Sequence, residues 1–253
     1  MSIHTLACIK RVPDTGARIN LTEDEQRVDD TGLGHTMSPH EECAIEEAVS
    51  QVETHGGSAT VLTLGAADAE EQLRTGLAMQ ADDAILLETD EDEWDPMATA
   101  EGIAGSIDDD ERDYDLLLFG NESADGANYQ VGIRVAAALD LPCVTGSKGV
   151  TVEDGTVQVE CEISRGAEIF EVEMPAVVTV KEGINEPRYP SMRAKMQARR
   201  QEIDQRDAIG ERGGPKKLGL IVPEEDDAPT EVLGEGPGAA AAAVDVFEEL
   251  EVL

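Results

Sequence analysis

The stretch from Tyr114 to Arg134, with the sequence YDLLLFGNESADGANYQVGIR, contains the residues best suited to hold a ligand. It begins with an apolar run typical of a buried strand, breaks at Gly120 into a small polar loop, and resumes with helical spacing. The first N–H groups of a helix lack partners and carry the positive end of its dipole, so such a turn binds anions. The pattern predicts a phosphate site, although an ordinary strand–loop–helix connection explains it equally well.

The composition of this turn favours binding through the main chain. Gly120, Gly126 and Gly132 would let a phosphate approach the backbone closely, while Asn128 and Gln130 offer neutral donors. The spacing matches neither a P-loop nor the G-x-G-x-x-G fingerprint, because no lysine follows the glycines. The turn therefore predicts a ligand site without naming its ligand.

Residues suited to bond-making chemistry are missing from the sequence. It has no G-x-S-x-G motif, and none of its four histidines lies near a plausible nucleophile. The cluster HEEC at 40–43 follows Ser38, and consecutive helical residues point in different directions, so we interpret it as a helix start with Glu41 closing a capping box. We expect no catalytic residue and no metal site. The cysteines are too scattered for zinc pairs and are expected to be reduced: Cys8, Cys43, Cys143 and Cys161.

The charge of the chain limits its partners. Its 253 residues include 55 acidic and 19 basic side chains, which give a net charge of -36 and a pI near 4.1. Such a charge disfavours nonspecific contact with nucleic acid or anionic lipid. We expect a halophilic protein, because its acidic surface suits concentrated salt, where the Debye length is about 3 Å at 1 M. Without a secretion signal or an apolar run near 18 residues, we expect it to be cytoplasmic and not membrane-inserted.

Alternating strand and helix patterns position the candidate site. Apolar runs predict strands at 5–9, 59–64, 84–87 and 116–119, and helices follow from Ser38, Gly65 and Asp95. This alternation forms right-handed βαβ units, so we predict an α/β fold with a doubly wound, Rossmann-like parallel sheet. By the switch-point rule, a nucleotide would lie across the strand ends at Ala7–Ile9, Leu64–Gly65 and Gly120–Gly126.

The pattern changes after residue 150. Period-two alternation at 150–180 around an Asp154-Gly155 turn predicts antiparallel strands at a sheet edge. Residues 181–217 then hold ten of the 19 basic residues. An acidic partner would explain this basic island, and so would an exposed helix with interleaved acids.

The C-terminal part of the chain reads as an arm. Residues 210–253 are irregular and acidic before an amphipathic helix begins at Ala239, with Val244, Phe247 and Leu250 on one side. We predict an α/β domain at 1–209 and an arm at 210–253. Its helix would dock on a partner or on its own domain.

The sequence PAVVTVKEGINEPRYPSMRAKMQARR, from Pro175 to Arg200, closely resembles the signature region of the electron-transfer flavoprotein β subunits. Further segments agree in order. The run CIKRVPD at 8–14 is similar to the first strand and turn of that family, and 73–82 to a helix after its second strand. Gly120, Asp125, Gln130 and Gly132 fall on its nucleotide loop. The resemblance covers essentially the whole chain.

The resemblance implies an electron-carrier subunit, not an enzyme. Members of the family form a heterodimer with an α subunit that holds most of one FAD. They take electrons from dehydrogenases such as acyl-CoA dehydrogenases and pass them to a membrane flavoprotein-quinone oxidoreductase. The β subunit adds a second nucleotide, AMP in simple members and FAD in bifurcating ones. Residues 125–126 and 130–132 resemble the bifurcating form and 127–129 do not; AMP is slightly favoured.

The resemblance also implies contacts, in which backbone N–H groups hold phosphate, Gln130 donates and Asp125 organises the loop. Cys8 and Leu64 would flank the adenine, and Ser38 would reach it. The expected nucleotide site is Cys8, Ser38, Leu64, Gly120, Asp125, Gly126, Asn128, Gln130, Val131 and Gly132. The expected partner-recognition residues, in a loop and helix at 185–206, are Tyr189, Met192, Lys195, Arg199 and Arg200. His40 and Thr15 fall where related subunits often place aromatics beside the flavin, and the arm would dock on the α subunit.

Two other functions fit the fold. A stress-type nucleotide-binding regulator would have no reason to carry the block from Asn185 to Arg200. An enzyme that uses ATP to hydrolyse or adenylate is disfavoured, because neither a phosphate-gripping lysine nor a metal carboxylate pair is present.

Overall fold

The computed structural model describes residues 2–14, 16–90, 94–210, 213–223 and 231–252. The strands are β1 (Ile3–Ile9), β2 (Val12–Pro13), β3 (His35–Thr36), β4 (Gly57–Gly65), β5 (Asp83–Glu88), β6 (Leu116–Gly120), β7 (Cys143–Glu153), β8 (Thr156–Ile163), β9 (Gly166–Glu173), β10 (Ala176–Val180) and β11 (Asp204–Asp207). The helices are α1 (Pro39–His55), α2 (Glu70–Ala78), α3 (Pro96–Asp108), α4 (Val131–Ala138), α5 (Met192–Ala198) and α6 (Ala240–Glu249), with 3₁₀ turns at Ala67–Ala69 and Gly236–Ala239.

A nine-stranded sheet organises the first of two compact units, Met1–Gly219. Its strand order is β11-β5-β4-β1-β6-β10-β7-β8-β9. Neighbouring strands from β11 to β7 are parallel, and β8 and β9 continue the sheet antiparallel. Helices α1, α2 and α5 pack on one face, and α3 and α4 on the other. The predicted doubly wound α/β fold is confirmed.

The apolar run in β6 is continuous because both faces of the strand are covered. Leu116 and Leu118 pack into the core beneath α1 and α2, while Leu117 and Phe119 pack into the core beneath α3 and α4. All four side chains are buried. A strand buried on both sides shows no polar alternation, as in other parallel sheets.

The predicted helix starts are confirmed by their caps. Ser38 is the N-cap of α1, and its backbone N–H donates to Glu41 Oε2 at 2.9 Å. Asp95 is the N-cap of α3, and its side chain accepts from the N–H groups of Met97 and Ala98. Each cap satisfies N–H groups that the first turn leaves without a helical partner.

The expected hairpin turn at Asp154-Gly155 is confirmed. Both residues have positive φ, 46° and 88°, and connect β7 to β8. Positive φ at both central residues matches the right-handed twist of the strands.

The prediction of antiparallel edge strands throughout 150–180 is wrong for its last part. Residues Ala176–Val180 form β10, which lies between β6 and β7 and is parallel to both. Every residue of β10 is buried, whereas β9 is mostly exposed at the edge. The period-two pattern ran without a visible break across Pro175, although a proline cannot donate to a ladder and so separates the two strands.

The C-terminal end of the expected loop and helix at 185–206 also differs from the prediction. The helix α5 ends at Ala198, and Asp204–Asp207 form β11, a strand parallel to β5 at the opposite edge of the sheet from β9. Its polar sequence, DQRD, gave no strand signal, because an edge strand with exposed side chains needs no apolar face.

The second unit comprises Leu220–Leu253. Its described residues include α6, which lies within the predicted C-terminal helix. Val244, Phe247 and Leu250 are exposed on this helix, and no described residue of the unit is buried.

Candidate functional site

A cleft of about 970 Å³ opens at the carboxyl ends of the parallel strands. The ends of β1, β4, β6 and β10 contribute to its walls, together with the turn that leads into α4. The chain passes from β1 to β4 and β5 on one side, and β6 then lies on the other side of β1. This reversal creates the crevice in which doubly wound sheets bind ligands.

The floor of the cleft is built from Cys8, Glu41 and Gly120. A Cβ atom on Gly120 would lie 2.8 Å from Glu41 Cγ and 3.2 Å from His40 Cβ. Glycine is therefore required here because the first turn of α1 packs directly against the end of β6. This packing explains the glycine without any reference to phosphate.

Glu41 is the unusual ionisable group of the floor. It is 5% exposed. Burial raises the pKa of its carboxyl to about 7, and the hydrogen bonds from Ser38 and the charge of Lys10 only partly oppose this rise. Burial likewise raises the pKa of the Cys8 thiol, and the nearby Glu41 raises it further. Burial thus favours the neutral forms of both the thiol and the carboxyl on this floor.

The loop between β6 and α4 is held by side chains from other elements. Lys10 Nζ lies 2.6 Å from Asp125 Oδ2, while Asp125 Oδ1 accepts from the N–H of Gly126. Burial raises the pKa of Asp125, but Lys10 and the hydrogen bonds from Ser123 and Gly126 outweigh it and hold that pKa below its usual value. The Ser38 hydroxyl accepts from the N–H of Ala124 at 2.9 Å. The loop is therefore held at the charged side chain of Asp125 and at the backbone of Ala124.

The first turn of α4 forms the wall beside this loop. Gln130 is the N-cap, and its Oε1 accepts two hydrogen bonds from the Arg134 guanidinium, at 3.0 and 3.1 Å. A Cβ atom on Gly132 would lie 3.0 Å from Thr179 Cγ2 and 3.1 Å from Phe119 Cγ. Gly132 thus lets α4 pack closely on β6 and β10. The N–H groups of this turn point toward the cleft end of the helix, as an anion requires.

The opposite wall carries a second positive group. Arg11 Nε is buried and has no hydrogen-bond partner among the described residues, and Arg11 Nη2 lies 3.8 Å from Asp68 Oδ2. Trp94 also lines this wall, and a Cβ atom on Gly210 would lie 2.8 Å from its ring. A buried guanidinium N–H without an acceptor is unfavourable, so this wall is suited to an anionic ligand.

A second surface comprises residues 185–201 and is called the docking segment after the partner recognition predicted for it from the family resemblance. Its Tyr189 and Met192 are 89% and 75% exposed, and Met196 is 55% exposed. The Lys195 ammonium lies 4.8 Å from the centre of the Tyr189 ring, close enough for a cation–π contact. In the part of the chain that the structure describes, four cations of this segment form no ion pair: Arg193, Lys195, Arg199 and Arg200.

Comparison with known proteins identifies the family of the chain. A family described as the electron transfer flavoprotein domain matches residues 27–209. The electron transfer flavoprotein subunit beta of Bacillus subtilis (strain 168) is 35% identical over 215 residues, which cover 82% of each chain. The chain belongs to the electron transfer flavoprotein β-subunit family.

Other β subunits agree with this assignment. That of Megasphaera elsdenii is 32% identical over 249 residues, covering 88% of this chain and 92% of its own. That of Mycobacterium tuberculosis (strain ATCC 25618 / H37Rv) is 36% identical over 204 residues, covering 77% of this chain and 75% of its own. The predicted electron-transfer role is therefore confirmed.

The cleft of this β subunit brings together most of the residues predicted at the nucleotide. Its lining includes Cys8, Leu64, Gly120, Asp125, Asn128, Gln130, Val131 and Gly132. Ser38 and Gly126 lie just behind this lining and make the loop contacts described above. His40 stands behind Gly120, with a buried Nδ1 that has no partner among the described residues, and Thr15 lies outside the described residues. Their nucleotide and flavin contacts stay predictions.

Sequence reasoning missed several residues of the cleft. Lys10 was part of a matched motif, but its pairing with Asp125 was not expected. The signal was present, since the two residues follow neighbouring strands and have opposite charges. Arg11 and Trp94 had no comparable signal, because nothing local marks which residues of a strand–turn segment face a crevice.

The described residues contain neither a membrane-spanning helix nor a metal-ligand cluster. None of the described helices is both long enough and apolar enough to cross a bilayer. Within the same residues, no three His, Cys, Asp or Glu side chains are grouped as metal ligands.

Proposed function

We propose that this β subunit pairs with an α subunit and shares one FAD with it. The complex would carry electrons from dehydrogenases, such as acyl-CoA dehydrogenases, to a membrane quinone reductase. When bound, the FAD supplies the reversible uptake and release of electrons. The chain itself contributes a nucleotide cleft and a docking segment, and needs no catalytic residue. It would work in the cytoplasm of a cell with concentrated internal salt, as its net charge of -36 suggests.

The observation that carries this proposal is the cleft at the β1/β6 reversal, closed by residues 120–132. We propose that it holds AMP. Its volume of about 970 Å³ lies within the range of small-molecule sites. The exposed N–H groups at the start of α4 would bind the phosphate, and Arg11, with its unpartnered Nε, would add a positive charge. The apolar strand ends at Cys8 and Leu64 would cover the adenine ring.

Different residues of the cleft would have different roles in binding such a ligand. Each carboxylate oxygen of Asp125 already has a partner, Lys10 or the N–H of Gly126. Asp125 would therefore hold the loop in shape, and main-chain donors would bind the phosphate. Gln130 uses its carbonyl oxygen on Arg134, which leaves its NH₂ group as the donor toward the ligand. A neutral main-chain site suits a phosphate in a chain this acidic, because it needs few cations.

The docking segment would bind the dehydrogenases. Its exposed Tyr189 and Met192 offer apolar contact area, and the flexible methionine side chain adapts to several partners. The cations at Arg193, Lys195, Arg199 and Arg200 would face an acidic dehydrogenase surface. Concentrated salt would screen this attraction, so apolar contact would dominate the affinity.

The nucleotide content of the purified complex tests the proposal. The chain and its α subunit would be co-expressed, purified in concentrated KCl and denatured with acid, and the released nucleotides separated by chromatography. We expect one FAD and one AMP per heterodimer. Two FAD would instead assign the chain to a bifurcating complex, and ATP alone, without an α partner, would contradict the proposal in favour of a stress-type regulator.

Tryptophan fluorescence provides an independent test of the cleft. Trp94 is the only tryptophan of the chain and lines the cleft. Adding AMP to the nucleotide-depleted chain should change its emission saturably. Adding AMP to free N-acetyltryptophanamide is the control for inner-filter effects, and an unchanged emission in the presence of bound AMP would place the nucleotide elsewhere.

A further inference from the structure

We propose that Arg188 and Arg74 are positioning residues, which clamp the two ends of the docking segment and hold it ready for its partner. This inference rests on the proposed function, because it assumes that residues 185–201 bind dehydrogenases. It adds two residues that make no contact with the partner themselves.

The first clamp fastens the start of the segment to α1. The Arg188 guanidinium binds Glu46 through two atoms, with Nε 2.8 Å from Oε2 and Nη2 2.9 Å from Oε1. It also reaches Glu53, with Nη1 2.7 Å from Oε1 and Nη2 3.0 Å from Oε2. The backbone N–H of Arg188 donates to Glu46 Oε2 at 2.9 Å. One side chain therefore joins the segment to two turns of the helix.

The bonds of Asn185 reinforce this clamp. Its Nδ2 donates to the carbonyl oxygen of Cys43 and to Glu47 Oε2, each at 3.1 Å. Glu46 is mostly buried in the clamp. Burial raises the pKa of Glu46, but the hydrogen bonds from Arg188 outweigh this effect and hold the pKa below its usual value. The carboxylate thus stays ionised and paired.

The second clamp fastens the end of the segment to α2. Arg74 Nη1 donates to the carbonyl oxygen of Ala198 at 2.6 Å and to that of Gln201. Its Nε and Nη2 bind Glu70 Oε1, which fixes the guanidinium on the surface of α2. The last carbonyl groups of a helix lack partners, so Arg74 both caps α5 and holds it in place.

Besides the clamps, the segment has a helix cap, in which Ser191 Oγ accepts from the N–H of Ala194, and a bond from Gln201 Nε2 to the carbonyl oxygen of Asp82. The helix α5 has seven residues, too few for a stable helix on its own, and Ala198 is its one buried residue. The residues expected to meet a partner lie between the clamps: Tyr189, Met192 and Met196 are exposed, and Lys195 is partly exposed. Because docking must otherwise order this stretch, a segment already held in shape loses less conformational entropy on binding.

The geometry requires arginine at both clamps. A guanidinium presents fixed, parallel N–H groups, and a lysine ammonium is a single point charge that cannot join two carboxylates or two carbonyl groups in the same way. Arg188→Lys and Arg74→Lys therefore keep the charge of the chain but remove the clamp. Arg206→Lys is the matched control, because Arg206 makes similar bonds to Asp110 and Asp204, lies in β11 after the end of the docking segment, and makes no bond to that segment in the described residues.

The test uses the purified αβ complex and an acyl-CoA dehydrogenase of the same organism, reduced with octanoyl-CoA. We expect each clamp variant to raise the KM for the complex about five- to tenfold with kcat within twofold, and with unchanged nucleotide content. Trypsin should also cut the variants faster after Arg193 and Lys195. The Arg206→Lys control should match the parent protein in KM and in its cleavage rate at these sites.

A Met192→Ala variant distinguishes a failure of the clamp proposal from a failure of the docking role on which it rests. If it raises KM while both clamp variants leave KM and trypsin cleavage unchanged, the segment is the docking surface and the clamp proposal is wrong. If Met192→Ala leaves KM unchanged, the segment does not dock the dehydrogenase, and both proposals fall. A kcat loss in the clamp variants that Arg206→Lys shares would also overturn the positioning role.

Discussion

The cleft and the docking segment belong to the same compact unit, but the residues that matter are buried in the cleft and exposed in the docking segment. In the cleft, the ionisable side chains of Cys8 and Glu41 are buried at the floor beside Gly120, and the shape of the floor depends on backbone packing. The docking segment exposes its contact residues and is fixed from behind by two arginines. A site for a small ligand is thus set by what fits between elements, whereas a site for a protein is set by what holds an exposed stretch still. The two regions should respond differently to substitution.

The largest effect is expected at the floor of the cleft, from Glu41→Gln. The folded pKa of Glu41, about 7, lies above its ordinary value of 4.5, so the folded state retains a proton that the unfolded chain releases. The contribution of Glu41 to stability therefore falls as the pH rises from 4.5 to 7 and then levels off. At about 1.4 kcal/mol per pKa unit, the penalty is up to roughly 3 kcal/mol.

Glutamine can still accept the Ser38 N–H but does not titrate. Denaturant unfolding in concentrated KCl should thus show the variant gaining stability over the parent protein between pH 4.5 and 7. A constant difference between the two proteins across this range would mean that Glu41 is not held protonated.

Gly120→Ala is expected to lower the free energy of unfolding by about 2 kcal/mol, because its new methyl group would press α1 away from β6. Gly105→Ala, at an exposed position in the last turn of α3, is the matched control. A Cβ atom there meets nothing within 4 Å. This control should be neutral or stabilising by up to about 1 kcal/mol. Equal effects of the two substitutions would show that the floor has room to adjust.

Lys10→Met should cost about 1 kcal/mol, because it leaves the half-buried Asp125 without its counter-ion. The pKa of Asp125 should rise, since burial then acts with less opposition. A double-mutant cycle with Asp125→Asn measures the pairing energy. Additive effects of the two substitutions would show that the ion pair does not fix the loop.

The smallest effect on stability is expected at the docking segment. Met192→Ala should change the free energy of unfolding by less than about 0.5 kcal/mol, because the side chain is exposed. Met37→Ala makes the same change at a buried methionine and should cost about 2 to 5 kcal/mol. If Met192→Ala is as costly as Met37→Ala, the segment is part of the core and not a docking surface.

Local patterns in the sequence were enough to predict the elements that carry the cleft. Ser38 and Glu41 lie three residues apart, so their cap is visible in the sequence, and the run at Leu116 shows a buried strand directly. The strand at Ala176–Val180 was placed wrongly, because strand order depends on partners that a period-two pattern does not name. The edge strand at Asp204–Asp207 had no apolar pattern to reveal it.

Contacts between distant residues account for most of what the sequence did not show. Lys10 and Asp125 are 115 residues apart, and Arg188 and Glu46 are 142 apart. Which of many opposite charges meet is decided by the packing of helices on the sheet, not by spacing. The basic island at 181–217 indicated a partner surface in this region, but the docking residues themselves were expected from the family resemblance, since an exposed apolar and basic stretch has no periodicity of its own.

The position of β10 late in the sequence affects how the sheet can form while the chain is being synthesised. It is completed only at residue 180, yet it separates β6 from β7, and β7 pairs with the parallel part of the sheet through β10 alone. Until residues 176–180 are synthesised, the growing chain contains the parallel strands up to β6 and a separate three-stranded antiparallel unit, β7 to β9, with the position between them unfilled. A chain truncated after residue 175 should therefore expose unpaired strand edges. We expect it to aggregate or to stay bound to chaperones, even though most of the strands have already been synthesised.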